Sequence, residues 1–209
     1  MITELKSKWF DLFSKYTEDQ TRIAALWDDL LKHYSDKNRY YHNLSHIQNM
    51  LLQAESFRNN IEDYEALIFA IWYHDVIYKS TKKDNENKSA LFAQKALGTL
   101  NYEEKRLKNI QNLIISTKKH EIILNNNKDN AYLLDFDLSI LGSEWNIYEN
   151  YTKQIRKEYK IYPNFMYRPD RKKVLQHFLE RKTLYFTEAY KMKFENQARK
   201  NLKKEIELL

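Results

Sequence analysis

A chain of 209 residues fits one domain with a substantial core, and 43% hydrophobic residues mark it as folded rather than disordered. With two Gly and two Pro, β-rich folds and glycine-rich phosphate loops are disfavoured, and long helices joined by short polar loops are expected. The lack of cysteine excludes disulfides, thiolate metal sites and a cysteine nucleophile, while the net charge of +6 suits either an anionic ligand or a solvated basic surface.

The spacing of apolar residues predicts helices in nearly every segment. The first covers residues 2–16. Thr17 or Thr21 caps a second, which carries Ile23, Leu26, Leu30 and Leu31. Asp36-Lys37-Asn38-Arg39 breaks the pattern. A helix then spans residues 43–57, with Leu44, Ile47, Leu51 and Ala54 as its stripe. The next, residues 62–78, is apolar almost all round and is therefore central; it is expected to carry His74 and Asp75. A polar loop over 79–88 leads to helices over 89–100 and 103–117. A second polar loop, 125–130, precedes the helix bearing Asp137. Helices over 144–159, 171–183 and 187–208 complete the chain, and the loop 161–169 holds both prolines. The expected fold is all-α: one helical domain over residues 1–209, with a core of about 40–145 and a C-terminal helical extension of about 145–209. Residues 1–6 lack the apolar centre of a signal peptide and no apolar run reaches membrane-spanning length, so a cytoplasmic chain without membrane attachment is expected.

Chemistry concentrates in His42-Asn43-Leu44-Ser45-His46 and in His74-Asp75. Histidines four apart share one face of a helix, and imidazoles so placed can share a cation. On its helix His74 neighbours Ala70, Ile71, Ile77 and Tyr78, so it points into the core. A core histidine satisfied by one hydrogen bond is the alternative, but here a carboxylate follows at once. Two polar groups at one buried point need a shared partner, and a divalent cation supplies one. Asp137 neighbours Leu133, Leu134, Ile140 and Leu141, in the middle of an apolar stripe, whereas Asp135 is expected at its edge. A cation or a salt bridge to an arginine such as Arg156 would explain a buried Asp137.

Tyr41-His42-Asn43-x-x-His46-Ile47, Trp72-Tyr73-His74-Asp75-x-x-Tyr78, Glu86-Asn87-x-Ser89-Ala90, Asp137-Leu138-x-Ile140-Leu141-Gly142 and Ile155-Arg156-x-Glu158-Tyr159 follow one another along the chain. In this the chain resembles the HD superfamily of metal-dependent phosphohydrolases, and more closely its uncharacterised bacterial branch. The first segment is also similar to that of cyclic-nucleotide phosphodiesterases, although the downstream substrate motifs of those enzymes are missing. The resemblance implies an HD-type helical bundle with His46, His74, Asp75 and Asp137 as metal ligands and His42 as general acid. It implies hydrolysis of a small phosphate ester or anhydride, with a nucleotide as the leading substrate class, by metal-activated water that Asp75 orients.

His120, Glu86, Lys79 and Arg39 are weaker candidates for substrate or second-metal contact. Lys82 and Lys83 share the loop with Lys79; His33 and His177 lack a partner motif. Ligation by His and Asp without sulfur fits Mn, Mg, Fe, Ni, Co or Zn, with one or two ions per chain. Two other readings remain open: a non-catalytic nucleotide or nucleic-acid binding module, and a di-iron oxygenase on the same fold. The absence of a clustered basic and aromatic stripe argues against nucleic acid.

Overall fold

Apolar side chains at helical spacing need a facing element to cover them, and every segment meets that need with helices. The computed structural model describes residues 1–100, 102–124 and 127–209; among them are ten α-helices, two short 3-10 helices and no strand. The α-helices are α1 (Ile2–Phe13), α2 (Gln20–Tyr34), α3 (Leu44–Ser56), α4 (Tyr64–Tyr73), α5 (Asn85–Leu97), α6 (Glu104–Ser116), α7 (Lys128–Leu138), α8 (Trp145–Glu158), α9 (Asn164–Glu180) and α10 (Glu188–Leu208). The fold is all-α, and no helix among the described residues is long and apolar enough to cross a membrane. Asn125 and Asn126 of the expected second polar loop lie outside the described residues. The chain divides into two compact units, Met1–Leu133 and Leu134–Leu209, and the division falls inside α7.

The first unit is built around α4. All its residues from Ala66 to Tyr73 are buried, as its unbroken apolar run requires. Trp9 of α1 stacks on Phe13 at 4.0 Å and meets Trp72 edge-on at 5.4 Å, while Trp27 of α2 lies 6.1 Å from Trp72. Each large apolar side chain so buried contributes roughly 1.5–3 kcal/mol against leaving it in water. The polar tips are also placed: Trp9 Nε1 donates to the Ile23 carbonyl at 3.2 Å, and the Tyr34 hydroxyl donates to the Trp72 carbonyl at 3.0 Å. Asp129 is buried and accepts from the backbone N–H groups of Glu62 and Asp63, both at 2.8 Å, where the chain enters α4. Burial raises its carboxyl above the ordinary range against those two bonds.

Four boundaries differ from expectation in ways that bear on the site or its frame. The cap of α2 is Asp19, which accepts from Arg22 N–H at 2.9 Å, rather than Thr17 or Thr21. Helix α3 starts at Leu44 with Asn43 as cap, so His42 precedes the helix and does not share its face with His46. Helix α4 stops at Tyr73, and His74 and Asp75 form a turn instead of continuing the helix to residue 78. Helix α9 begins at Asn164, with Pro163 at its cap and Pro169 inside it, seven residues before the expected start.

In the second unit, α10 packs on the 3-10 helix Ser139–Gly142. Gly142 allows this approach: a Cβ there would fall 2.5 Å from Phe194 Cβ. Asn201 of α10 donates to the carbonyls of Leu141 and Ser143 at 2.8 and 2.7 Å. Arg171 of α9 grips Glu205 of α10 through Nε and Nη2 at 2.7 and 3.0 Å, and the Tyr148 hydroxyl donates to the same carboxylate. Such a fork satisfies two buried charges at once.

Candidate metal centre

The site begins at two helix ends. Asn43 caps α3: its Oδ1 accepts from Ser45 N–H at 2.9 Å and its Nδ2 donates to the Tyr40 carbonyl at 3.0 Å. This fixes the path of the chain through residues 40–43 and sets His46 on the first turn of α3, where it is buried. At the other end, His74 is the C-cap of α4, and its N–H still bonds the Ala70 carbonyl at 2.9 Å. The turn that follows is held by α5. Ser89 Oγ accepts from Ile77 N–H at 3.0 Å and donates to the Ile77 carbonyl at 3.3 Å. The Asn85 amide closes the loop by donating to the Lys79 carbonyl at 3.0 Å and accepting from Lys79 N–H at 3.2 Å.

These ends bring His46, His74 and Asp75 together. Each offers a ligand atom within 4.8 Å of the others, and among the described residues this is the group that could hold a metal ion. His46 Nε2 lies 3.3 Å from His74 Nε2, which in turn lies 3.2 Å from Asp75 Oδ2. The tautomer of His74 decides what this means. Its Nδ1 is 2.9 Å from the Ile71 carbonyl, which can only accept, so Nδ1 carries the proton. In the neutral ring Nε2 then accepts, and it faces both His46 Nε2 and a carboxylate oxygen that is also an acceptor. Two acceptors at that distance repel unless a proton or a cation lies between them. A carbonyl bond on the far nitrogen is also the arrangement that orients metal-ligating histidines. The donor set therefore fits a divalent cation, with nitrogen and oxygen ligands and no sulfur. His46 and His74 are 4% and 1% exposed, and the Asp75 side chain 15%, so the group opens to solvent on the Asp75 side.

His42 is half-buried beside this group. Its ring stacks on Tyr78 at 4.2 Å and lies edge-on to His46, with centroids 6.1 Å apart. Tyr41 packs against both histidines, at 5.0 and 4.9 Å.

The remaining sequence candidates are placed as follows. Asp137, expected as a fourth ligand, lies in the second unit, on the last turn of α7, and is half-buried. Of Asp135 and Asp137 it is Asp135 that is fully buried, the reverse of the expected burial. Its oxygens accept from Phe186 N–H and Thr187 N–H, both at 2.8 Å, and from Thr187 Oγ1 at 2.7 Å, at the start of α10. Burial pushes the Asp135 carboxyl up to about 6 despite these donors. Arg156 donates to the Tyr159 and Tyr162 carbonyls and to Asn164. Lys79 is exposed and Glu86 half-buried, in the loop that Asn85 closes and on the first turn of α5. His120 follows α6 with a φ of 49°, in the left-handed region that few non-glycine residues enter. His33 packs edge-on to Phe92, and burial lowers its pKa. Arg39, expected near phosphate, has both Nη atoms on backbone carbonyls instead. Sequence reasoning did not assign the framework roles of Arg39, Asn85 and Ser89; the spacing of Asn85 and Ser89 on one face of α5 is the signal for the last two.

Compared with protein-family models, with curated proteins and with solved structures, the chain finds no match.

Proposed function

We propose that His46, His74 and Asp75 hold a divalent cation and that the chain is a metal-dependent phosphohydrolase of the HD type, acting on a small phosphate ester or anhydride, with nucleotides as the leading class. The observation that carries the metal reading is the convergence of His46 Nε2, His74 Nε2 and Asp75 Oδ2 at one buried point, with His74 oriented by its Nδ1–H on the Ile71 carbonyl. The phosphohydrolase reading adds the ordered motifs that resemble the HD superfamily.

A divalent ion here would polarise a phosphoryl oxygen and make water acidic near neutral pH. The chain's own residues divide the remaining work. Asp75, the most open of the three, faces incoming water and orients it by accepting its proton. His42 stands outside the trio, with its ring held by Tyr78, and donates a proton to the leaving oxygen. Such proton transfer contributes typically about 10²–10⁴-fold. Lys79, on the exposed loop that follows Tyr78, meets the phosphate charge.

The test is elemental analysis of protein purified without chelator, followed by a phosphate-release screen of nucleotides and p-nitrophenyl phosphate with Mn, Mg, Ni and Co. Bound metal with turnover, both lost in His74→Ala, is the expected result. Protein that takes up no metal and releases no phosphate would overturn the reading and leave a binding module.

A further inference from the structure

Where a helix ends, its last carbonyls need new donors. Helix α4 ends at Tyr73, and the carbonyls of the turn behind it find one in Arg39, far back in the chain. Nη1 donates to the Asp75 carbonyl at 2.6 Å and to the His42 carbonyl at 3.2 Å, and Nη2 donates to the Val76 carbonyl at 2.8 Å. One guanidinium thus ties the residue before the α3 cap to the turn that carries Asp75. Its Cζ also lies 5.6 Å from the Tyr78 ring, on which His42 stacks, and 5.0 Å from that of Tyr34. The side chain therefore reaches His42 twice, through its backbone and through the ring beside it.

Two further observations separate this from ordinary packing. Arg39 is 9% exposed, which leaves it little surface for a phosphate. Its Nε is buried without a hydrogen-bond partner, so the two Nη atoms and their three carbonyls hold the guanidinium in place. A planar fork can serve several carbonyls at fixed angles; an ammonium cannot.

We propose that Arg39 is a positioning residue that sets the geometry between His42 and the His46–His74–Asp75 group. The proposal rests on the metal-site reading for its consequence but not for its first test.

In metal-free, full-length protein, stacking on Tyr78 shifts the His42 ring protons upfield, and NMR reads this directly. Arg39→Lys and Arg39→Gln are expected to abolish that shift while far-UV circular dichroism stays that of the wild type. In a cobalt titration, the same variants should bind about 10–100-fold more weakly, as for residues that orient metal ligands, with a displaced visible d–d spectrum. A His42 shift, cobalt affinity and spectrum that all match the wild type would overturn the proposal. If the wild type takes up no cobalt, the metal reading fails alone, and the His42 shift still decides the role of Arg39. Should neither variant fold, the wild-type guanidinium gives the answer: Nη protons protected from exchange and coupled to the His42 and Asp75 carbonyls support it, and freely exchanging protons overturn it.

Discussion

Asp75→Asn should make the metal-free protein more stable while destroying its site. In the wild type with a neutral His74, Nε2 accepts and lies 3.2 Å from a carboxylate oxygen. Asparagine keeps the shape but places an N–H₂ where Oδ2 stood, and that group donates to Nε2. Exchanging opposed acceptors for one hydrogen bond gains about 0.5–1.5 kcal/mol. For a unit of this size that raises Tm by about 2–6 °C. The metal response moves the other way. An ion at 100 times its Kd stabilises the wild type by about 2.7 kcal/mol. The variant, short of one charged ligand, should show almost none of that gain. Differential scanning calorimetry in EDTA and then in excess Co or Mn tests both halves. A variant that melts below the wild type in EDTA, or gains as much from metal, would refute the account of two opposed acceptors.

Two further predictions concern the second unit. Gly142→Ala places a methyl 2.5 Å from Phe194 Cβ and 2.8 Å from the Phe194 carbonyl oxygen; the forced shift of α10 should cost about 1–3 kcal/mol, read as a lowered urea midpoint with the metal response unchanged. The Asp135 carboxyl should titrate with a midpoint of about 6 by ¹³C NMR. Because its folded pKa lies above the ordinary aspartate value of 3.8, folding takes up a proton between these values, and this group's contribution to stability falls as pH rises from about 4 through 6; a midpoint near 4 would show that the three donors prevail over burial.

Helix existence was legible because apolar spacing is a local property; the ends were not, because distant side chains set them. The sequence around His74 reads as helix to residue 78. The chain turns at Asp75 because Arg39, Ser89 and Asn85 bond the backbone of the residues that follow. The exchange between Asp135 and Asp137 has a similar origin. Counting Ile140 and Leu141 as neighbours of Asp137 assumes an α-helix, but α7 ends at Leu138 and residues Ser139–Gly142 wind as a 3-10 helix, which turns them off that face. Asp135 is buried by backbone from the start of α10, which no local pattern announces. Within the site, His46, His74 and Asp75 were recognisable as residue types at motif spacing. The His74 tautomer depends on the Ile71 carbonyl, and the tie through Arg39 depends on residues far apart in sequence.

The four tryptophans are split between the units. Trp9, Trp27 and Trp72 form one dry cluster, and Trp72 is two residues from His74. Trp145 is half-exposed in the second unit, with Lys204 Nζ 3.8 Å from the centre of its ring. The cluster should therefore emit blue and the lone ring red, so one fluorescence spectrum carries two separable signals. Cobalt, an open-shell ion that quenches nearby indoles, would dim the blue component first and turn the protein's own light into a gauge of occupancy at His74.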